Sequence, residues 1–183
     1  MKLLPREVGF ITAALALIAD QGSKLFLLYG AGFKQMPPGE SIPVLPFFNL
    51  VMVWNPGISY GLFPASGRLG TWALIAMSVI AIGVLSWLLW RSSTRALAIG
   101  YGMIIGGALG NNLVDRLVYG KVADFFHFYG FGYDWYVFNI ADLAITLGAM
   151  VILYDVLQPQ PSLDDQPPQD LQSGDLESRK QGP

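Results

Sequence analysis

Five short polar blocks interrupt an otherwise apolar chain, and four of them carry an aspartate. They are Asp20-Gln21-Gly22-Ser23-Lys24, Asn55-Pro56-Gly57-Ile58-Ser59-Tyr60-Gly61, Gly106 to Arg116, Val122-Ala123-Asp124-Phe125 and Phe138-Asn139-Ile140-Ala141-Asp142. A carboxylate at bilayer depth costs at least about 2.5–3.5 kcal/mol on insertion scales, so each one asks for a function or a partner. Two close carboxylates cannot both ionise, and a pair sharing one proton can activate water for attack on a carbonyl. Asp124 and Asp142 are the candidates for such a pair. The competing reading is that each is separately hydrogen-bonded and structural. Other hydrolytic chemistries have less material. The chain has no cysteine, and His127 is its one histidine, which leaves no His-Glu-x-x-His zinc motif and no thiolate site. Neither a metal nor a cofactor is expected. Ser23 and Lys24 are adjacent and point about 100° apart on a helix, unsuited to a Ser/Lys dyad.

Elements long enough to hold these groups come from the apolar runs. The 183 residues are 53% hydrophobic and 13% charged, against about 25% charged in an ordinary soluble domain. Four stretches approach the roughly 20 apolar residues that cross a bilayer: Val8–Tyr29, Thr71–Trp90, Ala96–Val114 and Val137–Leu157. The fold predicted is an all-α membrane protein of four transmembrane helices, with a small periplasmic β-sheet in the first outer loop, 30–70. The strands are expected around Phe47–Phe63, where aromatic and branched residues are punctuated by turn signals. The second outer loop, 115–136, is crowded with aromatics and reads as an interfacial belt. Lys2 and Arg6 before an apolar run resemble a signal peptide, but the Ala14-Leu15-Ala16 triplet lies inside that run and hydrophobicity resumes after Lys24. The first run therefore reads as a retained span.

Residues 1–157 form the membrane domain on this reading. Residues 158–183, rich in Pro, Gln, Ser and Asp, are expected to be a disordered acidic cytoplasmic tail. The tail explains the net charge of -2, since Asp155–Pro183 holds six of the thirteen acidic residues. No basic stripe suggests nucleic-acid binding. The short, doubly basic link Arg91–Arg95 favours both termini inside.

Local roles follow from spacing. Asp20 and Lys24 at i and i+4 suit an internal ion pair. Gly106 and Gly110 let helices approach closely. On an α-helix Asn112, Asp115 and Arg116 share a face, and Asp115 with Arg116 would anchor that helix end. Asp142 sits about 8 Å inside its span, with Asn139 one turn above it. Asn55 and Gly57 form either a structural turn or a loop that holds a peptide.

The ordered blocks from Asp20 to Asp155 resemble the signature blocks of bacterial lipoprotein signal peptidase, also called signal peptidase II. The resemblance implies a multi-pass aspartic endopeptidase of the bacterial inner membrane, active near the periplasmic face. Asp124 and Asp142 would be catalytic. Asp20, Lys24, Asn55, Gly57, Asn112, Asp115, Arg116 and Asn139 would support them or the substrate. It implies a prolipoprotein substrate cut before a diacylglyceryl-modified cysteine, contact with membrane lipid, a monomer, and inhibition by the cyclic peptide globomycin. The family pattern has one Asn three residues before the Asp of the third block. Here Asn111-Asn112 is doubled: counting from Asp115 selects Asn112, and counting from Gly110 selects Asn111. A proton or ion carrier using Asp20, Asp115 and Asp142, and a non-catalytic scaffold, are the competing functional classes.

Overall fold

The computed structural model describes residues 2–37, 39–57 and 67–158. Its elements, in chain order, are α1 (Pro5–Leu25), β1 (Ser41–Leu45), β2 (Phe48–Asn55), α2 (Gly67–Trp90), α3 (Arg95–Ala108), the one-turn α4 (Arg116–Tyr119), β3 (Val122–Gly130), β4 (Tyr133–Asp134) and α5 (Ile140–Leu157). Two wide π turns, Phe26–Gly30 and Leu109–Asp115, extend α1 and join α3 to α4. Four helical stretches are long and apolar enough to cross a membrane: Pro5–Gly30, Arg68–Trp90, Arg95–Tyr119 and Ile140–Leu157. The outward faces agree with that reading. Ile18, Trp72, Ile80 and Tyr154 are all exposed, as apolar side chains on the lipid side of a bundle would be.

Helix α3 is the centre of the bundle, packed between α1 and α5, because its glycines face both ways. A Cβ at Gly102 or Gly106 would run into the backbone carbonyls of Gly9 or Ala13 on α1. On the opposite face, Gly100 and Gly107 lie against Gly148 and Ala141 of α5. Between apolar helices in lipid, close backbone approach of this kind supplies the van der Waals contact that holds a bundle. The stripe extends the Gly106/Gly110 pair by a turn. The start of α3 and the end of α5 are tied as well: the Thr94 hydroxyl donates to Asp155 at 3.0 Å and its oxygen caps Leu97 N–H.

The sheet is antiparallel, in the order β1-β2-β3-β4. It is therefore not confined to the first loop: β1 and β2 come from 30–70, while β3 and β4 come from 115–136. The reading of 115–136 as an aromatic belt alone missed β3. Its aromatics serve two purposes: Phe125 is buried with Phe33, Leu27 and Leu28 over the end of α1, while Phe128 and Tyr133 lie exposed. A run that is aromatic on both faces has no polar/apolar alternation to announce a strand. Two boundaries also move. Asp115–Tyr119 continues the third span as helix, and Val137–Phe138 is extended, because Phe138 pairs with Phe126 before α5 begins. Ile58–Gly61 of the second block, the remainder of Phe47–Phe63, and the tail from 159 lie outside the described residues.

Candidate active site

Asp124 is the third residue of β3, opposite Val53 of β2. The chain entering α5 is stitched to the same strand: the Phe138 carbonyl accepts from Phe125 N–H at 3.1 Å and Phe126 N–H at 2.9 Å. That pairing sets the next residue, Asn139, beside Asp124. Asn139 is the N-cap of α5 and closes a capping box with Asp142, the arrangement that satisfies orphan N–H groups at a helix start. Its side-chain oxygen accepts from Asp142 N–H at 3.0 Å, and its backbone N–H donates to Asp142 Oδ2 at 3.2 Å. Its amide nitrogen donates to Asp124 Oδ1 at 2.6 Å and to the Ala123 carbonyl at 3.3 Å. A single buried asparagine thus grips both acids. Asn55 holds Asp124 from the other side, donating to Oδ2 at 3.2 Å while Gly57 N–H fixes its carbonyl at 3.0 Å.

Behind the pair lies a sealed ion cluster. Lys24 Nζ is 2.8 Å from Asp20, 2.8 Å from Asp115 and 2.6 Å from Asn111 Oδ1. Gln21 bridges the two acids, at 3.0 Å to each. Each acid also holds one backbone N–H: Asp20 accepts from Ala141 and Asp115 from Ala123. Those residues immediately precede Asp142 and Asp124. The cluster therefore carries the helix start and the strand on which the two candidate acids sit. The expected Asp20–Lys24 pair is present. Asp115, however, faces Lys24, while Arg116 turns the other way. Ser23 bonds the Asp20 carbonyl of its own helix. His127 lies 3.5 Å from Asp134 on the sheet.

A cleft of about 400 Å³ opens beside the pair, lined among others by Asp142, Asn55, Gly57, Asn112, Arg116 and Ser78. Arg116 spans the carbonyls of Pro56 (3.1 Å) and Gly57 (2.6 Å), and its Nε donates to Asn112 at 3.4 Å. The fork of a guanidinium suits such two-point capture. Asn111, the residue that counting from Gly110 selects, is buried and donates to Asp142 Oδ1 at 2.9 Å. Asn111 and Asp115 are four residues apart, so they share the side of the chain that meets Lys24. Counting three back from Asp115 selects Asn112 and overlooks its neighbour.

Burial, and next the charge of Asp142, push the Asp124 carboxyl up from 3.8 to about 7. Between those values the folded protein holds a proton that the unfolded chain has lost. Stability from this group is thus highest below pH 4, falls as pH rises toward 7, and levels off above. Asp124→Asn is expected to flatten that slope in detergent unfolding measured from pH 4 to 8; an unchanged slope would mean Asp124 ionises normally.

A family model described as Signal peptidase (SPase) II matches residues 12–158. The chain belongs to the signal peptidase II family. It is 46% identical over 165 residues to a lipoprotein signal peptidase of Rhodopseudomonas palustris strain TIE-1, covering 88% of this chain and 98% of the relative. A lipoprotein signal peptidase of Beijerinckia indica is 43% identical, covering 82% of this chain and 88% of its own. Two solved bacterial membrane enzymes share the fold. One has a TM-score of 0.72 at 25% identity, covering 87% of this chain and 93% of that structure. For the other the TM-score is 0.69 at 28% identity, covering 83% and 94%. The family match spans all five polar blocks in full and most of α1, so the cluster, the cleft and both acids fall within it.

Proposed function

We propose that this protein is an aspartic endopeptidase that removes signal peptides from prolipoproteins, with Asp124 and Asp142 as its catalytic pair. The observation carrying the reading is Asn139, which bonds both carboxylates from one helix cap. Chemistry follows from a pair holding one proton. The ionised member takes a proton from water as the hydroxyl adds to the scissile carbonyl carbon, and the protonated member gives its proton to the carbonyl oxygen. In the second step the first acid passes its new proton to the amide nitrogen. The C–N bond breaks, and a hydroxyl proton of the diol returns to the other acid. Asn55, Gly57, Asn112 and Arg116 line the cleft where the peptide would lie. Asp20, Lys24, Asp115 and Asn139 hold the framework.

Membership of the family supports a prolipoprotein substrate carrying diacylglyceryl on its cysteine, cut just before that residue, and a cleft that globomycin blocks. The four apolar helices support a multi-pass protein in contact with membrane lipid, which on this reading is a monomer of the bacterial inner membrane. Both termini would be cytoplasmic, and the sheet and cleft would lie at the periplasmic face. The test is cleavage by purified protein in detergent of one precursor in lipid-modified and unmodified forms. The modified form should be cut before cysteine, with globomycin suppressing it. Equal cleavage of both forms, or of neither, would overturn the substrate assignment.

A further inference from the structure

The doubled asparagine divides two tasks, and one of them bears on which acid does what. An ammonium has three N–H donors and no acceptor. Those of Lys24 are directed at Asp20, Asp115 and Asn111. The Asn111 carbonyl is thereby pinned toward Lys24, and its NH₂ can only point away, where it meets Asp142 Oδ1 at 2.9 Å. Both asparagines line the cleft, but Asn112 accepts from Arg116 instead of from Lys24. We propose that Lys24, acting through Asn111, is a positioning device that fixes Asp142 as the ionised member of the pair and leaves the shared proton on Asp124. The proposal rests on the pair being catalytic.

Three further observations agree. Asp142 receives only donors that cannot accept: the Asn111 amide on one oxygen and the Asn139 backbone N–H on the other. It also sits in the first turn of the 18-residue α5, where the helix dipole favours an anion. Finally, Asp142 lines the cleft that water would enter, whereas Asp124 is 2% exposed on a strand and meets the start of α5 only through the Asn139 side chain. Asp124 too accepts two amide bonds, from Asn139 and Asn55, so hydrogen bonding alone does not separate the acids. The helix end and the difference in burial do. The charged groups around Asp142 are Asp124 from β3, Asp20 and Lys24 from α1, and Asp115 and Arg116 from the end of the third span. Arg116 is committed to the carbonyls of Pro56 and Gly57. Asp20 and Asp115 offset much of the Lys24 charge, so its effect reaches Asp142 as the orientation of one amide. Asp142 is then the base that takes the proton from water, and Asp124 the acid that donates to the carbonyl oxygen.

The test is the pH dependence of kcat/KM for a lipid-modified precursor. Its acid limb reports ionisation of the base, and its basic limb reports loss of the proton from the acid. Asn111→Ala removes a donor to the anion, so the acid limb should move up by roughly one pH unit, with the basic limb in place. Asn112→Ala should raise KM and move neither limb. Should Asn111→Ala fold poorly, the isosteric Asn111→Asp keeps an acceptor for Lys24 while turning an oxygen toward Asp142, and should move the acid limb further. Acid limbs that stay put in the folded Asn111 variants, or a basic limb that moves instead, would overturn the proposal. Failure of the catalytic reading looks different: Asp124→Asn or Asp142→Asn would then retain turnover.

Discussion

Lys24→Met should destabilise the protein by about 3–5 kcal/mol, the usual cost of removing one partner from a buried charge cluster. Asp20, Asp115 and Lys24 are each at most 1% exposed. Without the ammonium, two carboxylates bridged by Gln21 face each other with no compensating charge. The damage should not stay local. Asp20 and Asp115 hold the N–H groups of Ala141 and Ala123, so their displacement loosens the start of α5 and the strand beneath Asp124. Unfolding in detergent reports the loss. Adding Asp20→Asn to Lys24→Met should recover part of it, because one unpaired charge has gone. A Lys24→Met protein as stable as the wild type would mean the cluster does not hold the bundle to the sheet.

Asp124→Asn and Asp142→Asn should each lower kcat for the lipid-modified precursor by about 10³-fold or more while leaving a folded protein. General acid–base catalysis contributes about 10²–10⁴-fold per group, and in a pair that passes one proton between its members the loss of either stops both. Asparagine has the same shape as aspartate and still accepts a hydrogen bond on its oxygen, so the contacts to Asn139 are largely kept. What it lacks is an exchangeable carboxyl proton. Circular dichroism and a thermal midpoint close to wild type would separate lost chemistry from lost structure. Substantial turnover by either folded variant would remove that residue from the catalytic assignment.

Where side chains act within one element, the sequence was readable. Hydropathy alone places four spans, since bilayer thickness imposes a length that few other constraints require. The Asp20–Lys24 pair and the Asn139–Asp142 cap are one helical turn apart, and their spacing states the geometry. The partners of Asp124 were not readable in that way. Lys121, the charged residue nearest in sequence, is exposed, whereas Asn55 and Asn139 reach Asp124 from β2 and the α5 cap. Those meetings depend on the register of β2 with β3 and on Phe138 joining the sheet, which no local pattern encodes. The role of Asn111 was hidden for the same reason: its partners Lys24 and Asp142 come from α1 and α5. Signature blocks read as a set nonetheless pointed to the right family, because the residues they contain converge on one cluster and one cleft.

The two acids are claimed to work as one unit on a single proton. Kinetics of the double variant Asp124→Asn/Asp142→Asn against each single variant measures that claim most directly, using the lipid-modified precursor in detergent. For a unit, the second substitution has nothing left to remove, so the double variant should be about as slow as either single one. Losses that multiply, with each single variant retaining its own share of turnover, would show two acids contributing independently and would contradict the shared-proton mechanism.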